Sequence, residues 1–127
     1  MMINKGIPAT GNLEIRVVKD GKIDIKGLPD FKVTVPINEG YILGRSDNAS
    51  SYLPDIDFLN HEAQEAGVSR RHAVLLHHKG LIQIVDLESI NGSFLNGRRL
   101  SPDVPYIFKS GDKLSLANLE IIITQSD

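Results

Sequence analysis

The chain alternates apolar and polar residues with a period of two over many short segments. In the first of them, Leu13, Ile15 and Val17 are separated by Glu14 and Arg16. Because successive side chains of a β-strand point to opposite faces of a sheet, this alternation predicts a strand that is buried on one face only. The same alternation predicts a strand at residues 31–37, and further short strands are expected at 23–25, 41–44, 73–77, 81–85, 93–95, 106–108, 113–116 and 119–124. The pattern is typical of an all-β protein.

Turn-forming residues separate these segments. Asp20-Gly21 joins the strands predicted at 13–17 and 23–25, and a two-residue Asp-Gly link is a strong hairpin signal because both positions tolerate positive φ. Pro36 indicates an edge position, since proline cannot donate to a strand ladder. Further turns are expected at Lys79-Gly80, Asn91-Gly92, Asn96-Gly97, Ser110-Gly111-Asp112 and Ala117-Asn118. About ten to eleven short, mostly antiparallel strands with such turns predict a β-sandwich or barrel.

Composition excludes several classes of protein. The 127 residues fit one domain, and 41% hydrophobic with 24% charged residues is ordinary for a globular chain. Cysteine is absent, which removes disulfides and thiolate metal sites and is consistent with a cytoplasmic protein. A net charge of −2 argues against a general nucleic-acid binder. The first residues lack the apolar core of a signal peptide, and no apolar run approaches the length of a membrane span.

One long interval, residues 46–68, lacks a strand pattern. Within it, residues 61–66 could form one or two helical turns, which are too short to be stable alone. Loops of this length in a compact domain are often functional, but a tolerated surface insertion explains the interval equally well.

Three clusters of polar residues lie between the predicted strands. They are Gly44-Arg45, the segment 69–72 (Ser-Arg-Arg-His) and the segment 86–97, which begins with Asp and ends with Asn-Gly. Each is weak evidence alone: an Asn-Gly pair is usually a turn, and a lone histidine in an apolar stretch is usually a hydrogen-bonded core residue. Their joint occurrence, in order and between strands, indicates a site that a rigid sheet scaffold positions.

In these clusters the chain resembles the forkhead-associated (FHA) domain family over residues 40–124. The matching residues are Gly44-Arg45, Ser69-x-x-His72, Asp86-x-x-Ser89-x-Asn91-Gly92, Asn96-Gly97 and Gly111-Asp112. The resemblance implies a two-sheet β-sandwich of the FHA/SMAD-like type with its ligand-binding loops at one end. We expect the domain to span residues 13–127, after a mobile N-terminal segment, residues 1–12.

The chemistry of the same clusters suits a phosphorylated ligand. Arg45, Ser69, Arg70 and Arg71 supply hydrogen-bond donors and positive charge in a slightly acidic protein. A phosphorylated side chain carries about −1.5 to −2 charge and three strong acceptor oxygens. The planar guanidinium group matches such an anion and stays charged. At about 1.5–3 kcal/mol per charge-assisted bond, two or three bonds would separate a phosphorylated peptide from an unmodified one by orders of magnitude.

The resemblance also implies individual roles. Arg45, Ser69 and Arg70 would contact the phosphate, and Asn91 would bond the backbone of the bound peptide. Arg71 has no firm counterpart and is interpreted as solvated surface. The structural residues of the motif would be Gly44, His72, Asp86 and Gly92, with His72 tying neighbouring loops together.

Two features depart from the family pattern. The residue before Asn91 is often a threonine whose hydroxyl adds to the phosphate site, whereas here it is Ile90. The interval 46–68 is also longer than the usual link between the arginine and serine motifs.

Three other functions fit the sequence less well. A hydrolase built on Ser69 and His72 would need a base, an orienting acid and an oxyanion hole, and no nucleophile elbow is present, so we expect no enzymatic activity. His77 and His78 are adjacent on a strand and point to opposite faces, so they are interpreted as exposed edge residues and no metal site is expected. A basic rim of Arg45, Arg70, Arg71, Arg98 and Arg99 lacks the aromatic platform of a nucleic-acid site.

The sequence therefore predicts a cytoplasmic module that binds a phosphothreonine-containing partner in Ser/Thr kinase signalling, without cofactor, metal, nucleic acid or membrane. The alternative that stays open is a phospho-independent docking or oligomerisation module on the same fold. Phosphothreonine rather than phosphoserine is an implication of the resemblance, and the oligomeric state is not readable.

Overall fold

The computed structural model describes residues 11–126, so most of the segment 1–12 lies outside the described residues; Asn12 begins the first strand. The described chain forms eleven strands and one turn of 3-10 helix, Leu59–His61. The strands are β1 Asn12–Val17, β2 Phe31–Thr34, β3 Gly40–Gly44, β4 Ile56–Asp57, β5 Arg71–His78, β6 Leu81–Asp86, β7 Ser93–Leu95, β8 Arg98–Arg99, β9 Tyr106–Ile107, β10 Lys113–Leu116 and β11 Leu119–Gln125. The prediction of an all-β chain is confirmed.

The strands form two sheets. The six-stranded sheet has the order β2-β1-β11-β10-β7-β8, and the five-stranded sheet has the order β4-β3-β5-β6-β9. Every pair with a described register is antiparallel except β3 with β4, which is parallel. β2 is an edge strand, as Pro36, two residues beyond its end, indicated.

The alternating residues of both sheets meet in one core. Leu13 and Ile15 of β1 and Ile121 of β11 are fully buried on one side, and Leu75 and Ile84 of the central strands β5 and β6 are fully buried on the other. Burying a side chain of this size contributes about 1.5–3 kcal/mol, so the packed layer holds the two sheets and the loops at their ends in place.

The predicted hairpin is only half correct. Asp20 and Gly21 both adopt positive φ, and Lys19 and Lys22 exchange backbone hydrogen bonds across the turn. Residues 23–25, however, form no strand. There the Asp24 carboxylate accepts the N–H groups of residues 26 and 27, which replaces ladder bonds by a local turn.

The interval 46–68 is more structured than its sequence predicted. It contains β4, and Phe58, Ala63 and Val68 are buried in the core, so its second half is part of the sandwich. Residues 62–67 form turns instead of the helix considered for residues 61–66. Burial alone would raise the pKa of Asp57, but hydrogen bonds from the Ser46 hydroxyl and from the N–H groups of Ser46 and Leu59 prevail and lower it.

The interpretation of His77 as an exposed edge residue is wrong. β5 lies between β3 and β6, and His77 is 2% exposed, with its Nδ1 2.8 Å from the carbonyl oxygen of Val35. His78, the last residue of β5, is exposed. The strand places the two rings on opposite faces, as the alternation required.

Candidate functional site

Three loops meet at one end of the five-stranded sheet. β3 and β6 end there and β5 begins there, because both pair with β5 in the antiparallel sense. The backbone N–H of Arg45 donates to Arg70 O at 3.2 Å, and the N–H of Leu87 donates to His72 O at 2.9 Å. The three predicted clusters are therefore neighbours in space, although up to 40 or so residues separate them in the chain.

Gly44 allows the first two loops to approach closely. The β3–β5 register shifts between Leu43 and Gly44, so that Leu43 faces Ala73 and Gly44 faces Arg71. A Cβ atom on Gly44 would overlap the carbonyl oxygen of Arg70. Glycine is thus required by backbone approach at this position.

The Arg45 side chain turns toward the second loop. Its Nε donates to Val68 O at 2.7 Å, and its Nη1 lies 3.7 Å from the Oδ2 of Asp47. The side chain is 18% exposed, and Nη1 is buried without a hydrogen-bond partner among the described residues. A guanidinium nitrogen in this state is a donor that an incoming acceptor could satisfy.

Ser69 has its hydroxyl at the boundary between the second and third loops. Its Oγ accepts the backbone N–H of Ile90 at 3.3 Å. Because the oxygen acts as acceptor in this bond, its own O–H remains able to donate to a ligand.

His72 is fully buried and joins the second loop to the third. Its Nδ1 accepts the N–H of Ser69 at 3.0 Å, so in the neutral ring Nε2 carries the proton and donates to Gly92 O at 2.8 Å. Burial lowers the pKa of His72, although the Gly92 carbonyl and the Asp86 carboxylate act in the opposite direction. The neutral ring is the form that both hydrogen bonds require.

Asp86 organises the third loop from inside. This carboxylate is 2% exposed and accepts the hydroxyls of Ser89 and Ser93, each at 2.6 Å. The Ser89 Oγ in turn accepts the N–H of Gly92 at 3.0 Å. The loop between β6 and β7 is thereby folded around one buried carboxylate, and Asn91 lies at the exposed tip of this loop.

Asn91 is exposed at the tip of the third loop. Its Nδ2 donates to Gly67 O at 3.0 Å, which connects the third loop to the end of the interval 46–68. One amide N–H and the carbonyl oxygen are not consumed by this bond, so the side chain retains donor and acceptor capacity. Gly92 follows at a φ of +87°, and a Cβ there would crowd the guanidinium of Arg99.

Asp47 is the site residue that the sequence analysis missed. Its Oδ2 lies 3.7 Å from Arg45 Nη1 and 3.8 Å from Arg70 Nη1, so one carboxylate faces both guanidinium groups. Arg70 itself is half-exposed. The only signal in the sequence was an acidic residue two positions after Arg45, which carries no distinctive pattern.

The structure thus places Arg45, Ser69 and Arg70 on neighbouring loops, and Asn91 lies at the tip of the third loop. Arg71, Arg98 and Arg99 are exposed; Arg99 lies beside Gly92, with its guanidinium carbon 5.8 Å from the centre of the Phe94 ring.

Among residues 11–126, no cluster of three or more histidine or carboxylate side chains could hold a metal ion. The described residues include no helix that is both long and apolar enough to cross a membrane.

Comparison with known proteins identifies the family of the chain. The family model for the FHA domain matches residues 41–117, which is more than half of the chain. A protein phosphatase 1 regulatory inhibitor subunit PPP1R8 homolog from Arabidopsis thaliana is 32% identical over 111 residues, which cover 87% of this chain and 26% of that protein. This chain therefore spans about a quarter of that relative's length.

Solved structures show the same fold. The FHA domain of an Arabidopsis thaliana hypothetical protein superposes with a TM-score of 0.67 at 20% identity, covering all of this chain and 96% of that one. An FHA domain from an analysis of phosphothreonine-dependent FHA domain interactions superposes with a TM-score of 0.62 at 19% identity, covering 91% and 98%. FHA domains are phosphopeptide-binding interaction modules, not enzymes. By its sequence motifs, its sandwich fold and the family model that spans most of it, the chain belongs to the FHA domain family.

Proposed function

We propose that this chain binds phosphothreonine in a partner protein and so acts as a phosphorylation-dependent interaction module downstream of a Ser/Thr kinase. The observation that carries the proposal is the convergence of Arg45, Ser69 and Arg70 on loops that are hydrogen-bonded to one another. The domain would span residues 13–127 and act in the cytoplasm, where a cysteine-free chain needs no oxidising environment.

The phosphate would take the donors that the fold leaves available. Arg45 would supply the buried Nη1, Arg70 a half-exposed guanidinium, and Ser69 its hydroxyl proton. Two of these bonds are charge-assisted on both sides, and such bonds contribute about 1.5–3 kcal/mol each. Loss of the phosphate would remove all of them at once, which is what makes the interaction switchable.

The remaining motif residues would orient the peptide and hold the loops. Asn91 would bond the peptide backbone with its free amide capacity. Gly44 and Gly92 would provide close backbone approach, and His72 and Asp86 would maintain the relative position of the second and third loops. The likeness to an FHA domain with phosphothreonine-dependent interactions supports the preference for phosphothreonine.

A second candidate is phospho-independent docking or oligomerisation through the same loops. The observation that favours it is Ile90, which is 85% exposed beside Ser69 and occupies the position where the family pattern often has threonine. An exposed apolar side chain on the third loop would suit a contact that needs no phosphate.

The test is a degenerate peptide library with a fixed central phosphothreonine, phosphoserine or threonine, applied to the wild type and to Arg45→Ala. We expect the wild type to retain phosphothreonine peptides at least ten-fold better than threonine peptides, and Arg45→Ala to lose that preference. Arg98→Ala is the matched control, since it removes an exposed arginine outside the motif. Equal retention of phosphorylated and plain peptides by the wild type would reject the proposal and favour docking through Ile90.

A further inference from the structure

The phosphate site proposed above already contains an anion. The Oδ2 of Asp47 lies 3.7 Å from Arg45 Nη1 and 3.8 Å from Arg70 Nη1. Both guanidinium groups that the proposed function assigns to the phosphate thus face the same carboxylate of the chain itself.

The two arginines are not the only groups that position this carboxylate. Its other oxygen, Oδ1, accepts the backbone N–H of Ala49 at 2.9 Å and closes a local turn in the chain after β3. The Asp47 side chain is 24% exposed, so the negative charge is partly removed from solvent. The turn therefore helps to orient Oδ2 toward the two guanidinium groups.

Asp47 compensates the charge of Arg45 without satisfying its donor. The distance of 3.7 Å is too long for a hydrogen bond, and Nη1 has neither solvent contact nor an acceptor among the described residues. A phosphate oxygen that reached hydrogen-bonding distance of Nη1 would make a bond that Asp47 does not make. It would also come close to a like charge.

We propose that Asp47 is a resident counter-ion that competes with the phosphate for Arg45 and Arg70 and thereby limits the affinity of the domain. The inference rests on the proposed function of the site. Two arginines and Asp47 leave a net charge of +1 for a ligand of about −2, whereas the same site without Asp47 would be balanced. The competition makes binding weaker and more readily reversible, and it keeps the buried cation compensated when no partner is bound.

The experiment compares Asp47→Asn with the wild type against the phosphothreonine peptide pool by fluorescence polarisation, and in parallel measures thermal unfolding. The asparagine can still accept the Ala49 N–H, so the turn is retained. We expect phosphopeptide affinity to rise about 3- to 10-fold, from the Coulomb repulsion of a dianion at a distance of several ångströms in a solvent-like dielectric. The melting temperature should fall, because Arg45 loses its counter-charge.

Three variants make the result specific. Glu39→Gln removes the same charge from an exposed residue at the opposite end of β3 and should change neither quantity. Asp47→Ser also removes the charge and keeps a turn acceptor, so it should reproduce the gain; a gain confined to Asp47→Asn would point to a contact made by asparagine itself. Arg45→Ala combined with Asp47→Asn, compared with Arg45→Ala alone, should show a smaller gain, since one of the two guanidinium groups for which Asp47 competes has been removed.

The outcomes separate the two proposals. If the wild type binds the pool and Asp47→Asn binds equally or more weakly, the counter-ion role is wrong and the proposed function stands. Weaker binding together with lower stability would assign Asp47 a purely structural role. If the variant Asp47→Asn binds the phosphopeptide pool and the wild type does not, the inference holds in its strongest form, because Asp47 then prevents phosphate binding in the wild type. If neither protein distinguishes phosphorylated from plain peptides, both proposals fail.

Discussion

His72 is the residue whose replacement tests most directly how the site is held together. The substitution His72→Phe keeps a planar ring of similar size in a fully buried position but removes both ring nitrogens. The N–H of Ser69 and the carbonyl of Gly92 then lose their partners, at 3.0 and 2.8 Å respectively. The variant should therefore be destabilised without a large cavity.

The magnitude follows from the two hydrogen bonds. Each contributes about 0.5–1.5 kcal/mol net, and a buried backbone group left unpaired costs about 1–3 kcal/mol. Together they predict a loss of about 2–5 kcal/mol in the free energy of unfolding. For a domain of this size, this corresponds to a fall of roughly 8–20 °C in the melting temperature.

The assay is urea unfolding followed by circular dichroism, with phosphopeptide binding measured on the folded fraction. His78→Phe is the matched control, because it makes the same substitution at the exposed end of the same strand. We expect the control to unfold within about 0.5 kcal/mol of the wild type. A loss below about 1 kcal/mol in His72→Phe would refute the view that its ring hydrogen bonds hold the second and third loops together.

Three further predictions concern the same end of the sandwich. Burial lowers the pKa of His72, so the contribution of its neutral ring to stability is fully present above the ordinary histidine pKa of about 6.5. This contribution is lost as the pH falls from that value through the lowered pKa of the folded state. Urea midpoints measured from pH 7.5 to 5 should fall in the wild type and fall much less in His72→Phe. Gly44→Ala should destabilise the domain by about 2 kcal/mol or more in the same urea assay, since its Cβ would overlap the Arg70 carbonyl. Gly27→Ala should cost less than half of that, because its Cβ would meet the Asp24 carboxylate of an exposed surface turn, outside the core. Ile90→Thr should raise phosphopeptide affinity about 3- to 10-fold in a polarisation titration, because it restores a hydroxyl at an exposed position; unchanged affinity would show that residue 90 does not reach the phosphate.

The fold was largely predictable because period-two alternation is a local property of the chain. Strand β1 was predicted from alternating residues, and the structure buries its apolar set, Leu13, Ile15 and Val17. The prediction failed at residues 23–25, where a similar alternation has no opposing layer to bury it. It also failed at β4, whose two residues are too few to show a period and which exists only because β3 offers a parallel edge.

The candidate site was predictable in its residues but not in its electrostatics. Arg45, Ser69, His72 and Asn91 were identified from motif spacing, and the folded chain brings their loops together through backbone and side-chain bonds. The role of Asp47 was invisible, because its significance lies in distances to two guanidinium groups that belong to different loops.

By itself the sequence determined that this is an all-β sandwich with polar loops of the FHA type, since side-chain alternation, turn residues and the order of motifs are local properties of the chain. Only the tertiary structure decided that Arg45 is nearly buried, that its Nη1 lacks an acceptor, and that Asp47 faces it together with Arg70. The physical reason is that burial and Coulomb interactions depend on separation in space, which the packing of the two sheets sets and which spacing along a chain does not encode.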